Sequence, residues 1–116
     1  MDRRVKRTKT VLDQQYRDPP SLERLAESVG LSASRLAHLF RDETGMSIQS
    51  YIVERRLQMA AMLIVQSDEQ ISQIAYRVGF GDVSNFNHSF KKRFGMAPGD
   101  FRKTHGNGEP GGQPKS

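Results

Sequence analysis

The segment LAESVGLSASRLAHLFRDETGM, Leu25 to Met46, returns as IAYRVGFGDVSNFNHSFKKRFGM, Ile74 to Met96. This internal repeat constrains the fold more than any other feature, because a unit that recurs at a fixed offset is one supersecondary motif built twice. Leu22, Leu25, Ala26 and Val29 lie at i, i+3, i+4 and i+7, one apolar helix stripe. Ile71, Ile74, Ala75 and Val78 restate it at an offset of 49, and Gly79 restates Gly30. One residue is then inserted, and the offset becomes 50. It matches Ser34 with Ser84, Leu36 with Phe86, His38 with His88, Phe40 with Phe90, Gly45 with Gly95, Met46 with Met96 and Tyr51 with Phe101.

Each copy reads as two short helices across a tight turn. Ser21 is placed to cap the first helix and Gly30 to end it; Ser32 caps a second helix whose inward stripe is Leu36, Leu39 and Phe40, and Gly45 terminates that one. This is the helix-turn-helix arrangement. Asp82 is the corresponding cap in the second copy, so the second helices span about 33–44 and 83–94. Before the first copy, Val5, Leu12 and Tyr16 share one side of a weakly amphipathic helix that "RDPPS" stops, since consecutive prolines remove donors and restrict their neighbours. Between the copies, 47–66 contains no Gly or Pro and reads as one helix of about 30 Å at 1.5 Å per residue. Leu57, Ala60, Ala61 and Ile64 stripe its second half, while Met59, Met62, Leu63 and Val65 fill the rest of the circumference, which predicts cover on more than one side.

No stretch alternates as a half-buried strand would. The expectation is therefore an all-α chain of about seven helices, two helix-turn-helix lobes joined by a long central linker helix. One domain covers 1–104, with lobe one at about 5–46, the linker at about 47–66 and lobe two at about 67–104. The remainder, "HGNGEPGGQPKS" at 105–116, is Gly- and Pro-rich and reads as a disordered tail.

Charge and composition narrow the function. Lys and Arg total 18 against 13 Asp and Glu, a net charge of +5 that favours an anionic partner. With no Cys there is no disulfide framework, thiolate metal site or thiol nucleophile. The apolar run from Met59 to Val65 is too short to cross a bilayer, and the charged opening "MDRRVKRTKT" does not continue into a signal peptide, so the expected location is cytoplasmic, with no membrane partner.

The outward face of each second helix carries the chemistry. With Leu36, Leu39 and Phe40 facing in, Ser34, His38 and Arg41 point away, flanked by Arg35 and Ala37. The second copy presents Ser84, His88 and Lys91, flanked by Asn85 and Asn87, with Lys92, Arg93, Arg102 and Lys103 extending a positive patch. Small hydroxyl, imidazole and cation in that order suit a helix entering a major groove, with short donors on base edges and cations on phosphates. A polar helix face is also what any solvated helix shows. Two readings stand on these residues, a DNA reader and a helical protein-interaction module without DNA readout.

From Asp2 to about Lys103 the chain resembles the DNA-binding domain of AraC/XylS-type transcription regulators. The most specific part is "GFGDVSNFNHSFKKRFGMAPGDFR", Gly79 to Arg102, where the order of Gly79, Phe80, Phe86, Phe90, Lys91, Gly95, Pro98 and an aromatic followed by Arg102 is similar to the family signature. The resemblance implies a sequence-specific transcription regulator whose two recognition helices enter successive major-groove segments of double-stranded promoter DNA. It places base-reading positions at Ser34, Arg35, Ala37 and His38, and near Ser84, Asn85 and His88. Arg41 and Lys91, with Asn87 and Lys92 on the same faces, complete the expected DNA-binding set. The domain is expected to bind DNA as a monomer, with RNA polymerase as a further partner and any effector or dimerisation domain outside this chain. Ala37, Ser34 and Ser84 are short, leaving few long bidentate readers.

Other chemistry finds little support. His38, His88 and His105 lack the close spacing of a metal site, so no metal and no cofactor is expected. Phe80, Phe86, Phe90, Phe94 and Phe101 follow the inward stripe and read as core. Asp42 and Glu43 face no opposing carboxylate or nucleophile, and no phosphate-cradling Gly loop is present. The related methyl-acceptor repair chemistry needs a Cys, so the chain is not expected to be an enzyme.

Overall fold

The computed structural model describes residues 1–106, which form seven α-helices and no strand. In chain order they are α1 (Arg3–Gln15), α2 (Leu22–Ser28), α3 (Ala33–Thr44), α4 (Ile48–Gln66), α5 (Ile71–Arg77), α6 (Val83–Phe94) and α7 (Pro98–His105). The chain divides into two compact units, Met1–Arg55 and the residues from Arg56 onward, and the division falls inside α4.

In the first unit, Val5, Leu12, Leu25, Ala26, Leu36, Phe40 and Ile52 form one buried cluster, with Val11, Leu22, Val29, Leu31, Leu39, Ile48 and Tyr51 packed against it. The local signals act as their chemistry demands. Ser21 Oγ accepts from the Arg24 amide and Ser32 Oγ from the Arg35 amide, satisfying otherwise orphaned helix donors. Ser47 Oγ does the same for the Ser50 amide at the start of α4. Gly45 ends α3 at φ 78°, and a Cβ there would meet nothing within 4 Å, so glycine is needed for its left-handed backbone and not for space. Gly95 repeats this at the end of α6, with φ 83°.

The second unit buries Leu57, Ala60, Ile64, Ile74, Ala75, Val78, Phe80, Phe86 and Phe90. Its rings form a continuous set: Phe80 meets Phe86 at 5.2 Å, Phe86 meets Phe90 at 5.6 Å, and Phe90 meets Phe94 at 4.6 Å and Phe101 at 5.3 Å. Phe80, Phe86 and Phe90 are buried core, as their inward spacing predicts, while Phe94 and Phe101 are half-buried at its edge.

The repeat is longer than its helix-turn-helix. Val5, Thr8 and Leu12 on α1 and Leu57, Ala60 and Ile64 on α4 are both buried triads at i, i+3 and i+7, so the second half of α4 does for its unit what α1 does for the first. The first half of α4 supplies Ile48, Tyr51 and Ile52 to the first unit, and α7 with Phe101 stands in the same place of the second. Each unit is therefore helix, helix-turn-helix, helix.

Two details differ from expectation. Met62 is exposed (42%), so α4 is not covered all round its apolar circumference; the buried triad fills one side, and Met59, Ala61, Leu63 and Val65 are half-buried. His105 is the last residue of α7, where its ring stacks on Phe101 at 4.3 Å and its Nδ1 lies 3.2 Å from the Phe101 carbonyl. The expected disordered tail otherwise lies outside the described residues.

Candidate nucleic-acid interface

On α3, burial of Leu36 and Phe40 turns Ser34, Arg35, His38 and Arg41 out to solvent together. Ala37 is only half-buried and lies on the flank, lining a groove of about 370 Å³ with Pro19, Pro20, Leu22, Ile48 and Ile52. His38 Nε2 stands 3.3 Å from Asp42 Oδ2, one turn on, with both side chains mostly exposed. On the other flank Arg35 and His38 share a small hollow with Arg4, Leu31 and Leu39, so α1 borders the same face.

On α6 the Asp82 carboxylate accepts from the Asn85 amide at 2.7 Å, fixing the helix start. Phe86 and Phe90 point inward, Ser84, Asn85, His88, Lys91 and Lys92 are exposed on the opposite side, and Asn87, the match of Ala37, is exposed on the flank. Arg93 lies over the Phe94 ring at 4.7 Å. Arg102 does not join this patch, contrary to the sequence reading. Its Nε donates to the Ile64 carbonyl at 2.9 Å and its terminal nitrogen to the Glu69 carbonyl at 2.7 Å, tying α7 to the end of α4 and the segment after it.

The two faces share geometry and differ in charge. At the offset of 50, Asp42 and Glu43 correspond to Lys92 and Arg93. Thus α3 sets Arg35 and Arg41 against two acids, whereas α6 carries Lys91, Lys92 and Arg93 with no acid between Val83 and Phe94.

A helix-turn-helix domain model matches residues 25–104, most of both units. The Msm operon regulatory protein of Streptococcus mutans is 33% identical over 99 residues, which are 85% of this chain and 36% of that protein. The transcriptional activator RhaS of Citrobacter koseri is 32% identical over 102 residues, 88% of this chain and 37% of the activator. An AraC-type DNA-binding-domain regulator from Chromobacterium violaceum superposes with a TM-score of 0.82 at 25% identity, covering 90% of this chain and 94% of that one.

The chain belongs to the AraC-type helix-turn-helix family. Members of this family are DNA-binding transcription regulators and not enzymes. The chain spans about a third of the length of the curated relatives it matches. Within the family frame, α3 and α6 are the second helices of the two helix-turn-helix motifs, the elements whose exposed faces are described above. Among the described residues no group of three or more His, Asp or Glu is arranged to hold a metal ion. No described helix is long and apolar enough to cross a membrane.

One feature of this AraC-type domain escaped the sequence reading. Arg3, Arg4, Lys6, Arg7 and Thr10 of α1 line an open groove of about 630 Å³ with Ser28 and Val29, at the end of α2. The signal for it in the sequence is "RRVKR", whose Arg3, Lys6 and Arg7 fall on the side away from Val5, Thr8 and Leu12.

Proposed function

We propose that this domain reads two short boxes of double-stranded promoter DNA, one with α3 and one with α6, as part of a sequence-specific transcription regulator. The observation that carries the reading is the paired exposed face, hydroxyl then imidazole then cation, on two helices each held by a side-chain N-cap, a left-handed Gly C-cap and an inward Phe, Phe40 or Phe90. Ser34, Arg35 and His38, and Ser84, Asn85 and His88, are close enough to the helix starts to meet base edges in a major groove; Ala37 reaches a base only from its flank, by apolar contact. Arg41, Lys91 and Lys92 lie further along and meet phosphates, with Asn87 between the two groups. The chain does this as a monomer, in the cytoplasm, and RNA polymerase is the partner through which an activator of this kind would act.

Selection of bound sequences from a random duplex pool tests the reading. Two separate conserved blocks are expected, with His38→Ala relaxing one base position in one block and His88→Ala one position in the other, each at about 1 to 3 kcal/mol. Recovery of a single block, or equal losses on selected and random duplexes, would overturn it. A protein-interaction module would show no salt-sensitive retention of any duplex.

A further inference from the structure

Lobe one lacks, on its recognition helix, the positive charge that lobe two carries there. Asp42 and Glu43 stand where α6 has Lys92 and Arg93. Arg35 and Arg41 are balanced there by these two acids, and the excess of cations in lobe one is on α1 instead. Taking this chain to bind DNA, we propose that Arg3, Lys6 and Arg7 of α1 hold DNA phosphates beside the box that α3 reads, making α1 a third DNA-contacting element that lobe two does not have.

The placement is specific. Arg3, Lys6 and Arg7 are exposed on the side of α1 opposite its buried triad. Arg4 is committed elsewhere: its guanidinium holds the Asp2 carboxylate at 3.0 Å, while the Asp2 amide donates to Glu43 Oε1 at 2.7 Å. That chain from Arg4 through Asp2 to Glu43 pins the start of α1 to the last turn of α3. The Arg4 guanidinium also neutralises the Asp2 carboxylate, which would otherwise repel a phosphate backbone. The basic groove and the hollow lined by Arg35 and His38 both include Arg4, so the cationic side of α1 continues directly into the recognition face.

Lobe two supplies the contrast. Counting from the matched triads, Lys6, Arg7 and Thr10 correspond to the uncharged Gln58, Met59 and Met62 of α4, while Arg3 and Arg4 correspond to two half-buried cations, Arg55, which lies 3.2 Å from Asp13 Oδ1, and Arg56, which lies over the Phe80 ring. An exposed cationic side, Arg3 with Lys6 and Arg7, is thus present only on the flanking helix whose recognition helix is electrically balanced.

A purely structural role is the alternative. The groove also contains Ser28 and Val29, and α2 has no basic residue in its own last turn, so cations beside it would favour the helix dipole. That role would appear in stability and leave DNA affinity unmoved.

The test uses the whole chain and the duplex it selects. The variant R3Q/K6Q/R7Q should bind that duplex roughly 10- to 100-fold more weakly at 0.1 M salt, with a salt slope lower by about two to three and the same preferred sequence. If the triple variant melts early, Arg3→Gln and Arg7→Gln singly should each lower the slope by about 0.9. Replacing phosphates one at a time by methylphosphonates should then reveal a cluster that matters to the wild type and not to the variant. That cluster should lie beside the block that His38→Ala relaxes. An unchanged slope, or a cluster beside the His88 block, would overturn the proposal while leaving DNA reading intact, and would return the groove to a structural or protein-docking role. No salt-dependent binding by the wild type would remove both.

Discussion

The two lobes share one pattern of turns, caps and inward positions and are held together by different chemistry. Lobe one is aliphatic and closes with a polar clasp: Tyr51 donates its hydroxyl to Asp13 Oδ1 at 2.8 Å, Arg55 Nε lies 3.2 Å from the same oxygen, and Lys9 sits over the Tyr51 ring. Lobe two is aromatic. Phe101 replaces Tyr51, its ring meets Phe90 edge-on, and the cation that follows it, Arg102, takes the place of apolar Ile52 and reaches two backbone carbonyls. The difference teaches that a repeat conserves where side chains point before it conserves what they are. An inward aromatic at position 51 or 101 satisfies the geometry, and each lobe then solves its polar edge separately.

The largest expected difference concerns the rings. Phe40→Ala and Phe90→Ala should each cost about 3 to 5 kcal/mol, as truncation of a fully buried Phe does. Phe90 has ring neighbours in Phe86, Phe94 and Phe101, whereas Phe40 pairs with Tyr51 at 5.6 Å. Since an aromatic pair adds about 0.5 to 1.5 kcal/mol beyond its area, Phe90→Ala should be the costlier by roughly 1 to 2 kcal/mol in denaturant unfolding. Equal losses would mean that the aromatic set contributes area alone, and the contrast between the cores would fade.

Next comes Arg102. Each of its bonds is charge-assisted, and truncation also leaves two carbonyls without this donor, so Arg102→Met should lower stability by about 2 to 3 kcal/mol. DNA affinity of the folded fraction should keep its salt slope. A slope reduced by about one, with stability unchanged, would put Arg102 back on the phosphate face.

That residue also marks the limit of what the sequence discloses. Helix number, caps and core were legible because they depend on local chemistry: Ser32 and Asp82 can satisfy orphan amides, Gly45 and Gly95 can take positive φ, and Leu36, Phe40, Phe86 and Phe90 recur at helical spacing. The two exposed faces followed from the same spacing. Arg102 was misplaced because an exposed cation and one that binds carbonyls 33 and 38 residues away look alike until the chain is folded. The α1 groove was missed for the same reason, since nothing in "RRVKR" names Ser28 and Val29 as its neighbours. Ala37 is intermediate: its small size was plain, and the flanking groove that half-buries it was not.

Phosphate contacts should sharpen the comparison further. Arg41→Ala and Lys91→Ala should each lower the salt slope by about one without changing the preferred sequence. Replacing Asp42 by Lys, the residue of lobe two, should raise the slope of lobe one by a similar amount and strengthen binding to selected and random duplexes alike. A shift in base preference from Asp42→Lys, at constant slope, would instead show that the His38 and Asp42 pair reads a base.

The smallest expected effect separates the two polar edges by pH. Burial, with the hydrogen bond to Asp13 and the charge of that carboxylate, pushes the Tyr51 hydroxyl up to about 12 from its ordinary value of 10. Because the folded state holds this proton more tightly than the unfolded one, the stability it contributes is complete below pH 10 and is lost as pH rises through about 12. Lobe two has Phe101 in that place and nothing to titrate. Tyr51→Phe should therefore cost about 1 kcal/mol at neutral pH, the usual worth of one lost hydrogen bond. The gap between variant and wild type should close through that alkaline range, since wild-type lobe one alone loses the contribution. Thermal unfolding of both proteins from pH 9 to 12 measures it, with the titration of lysines cancelling in the difference. A gap that stays constant with pH would show that the hydroxyl packs against Asp13 without favouring its proton, and lobe one would then close as lobe two does, by its ring.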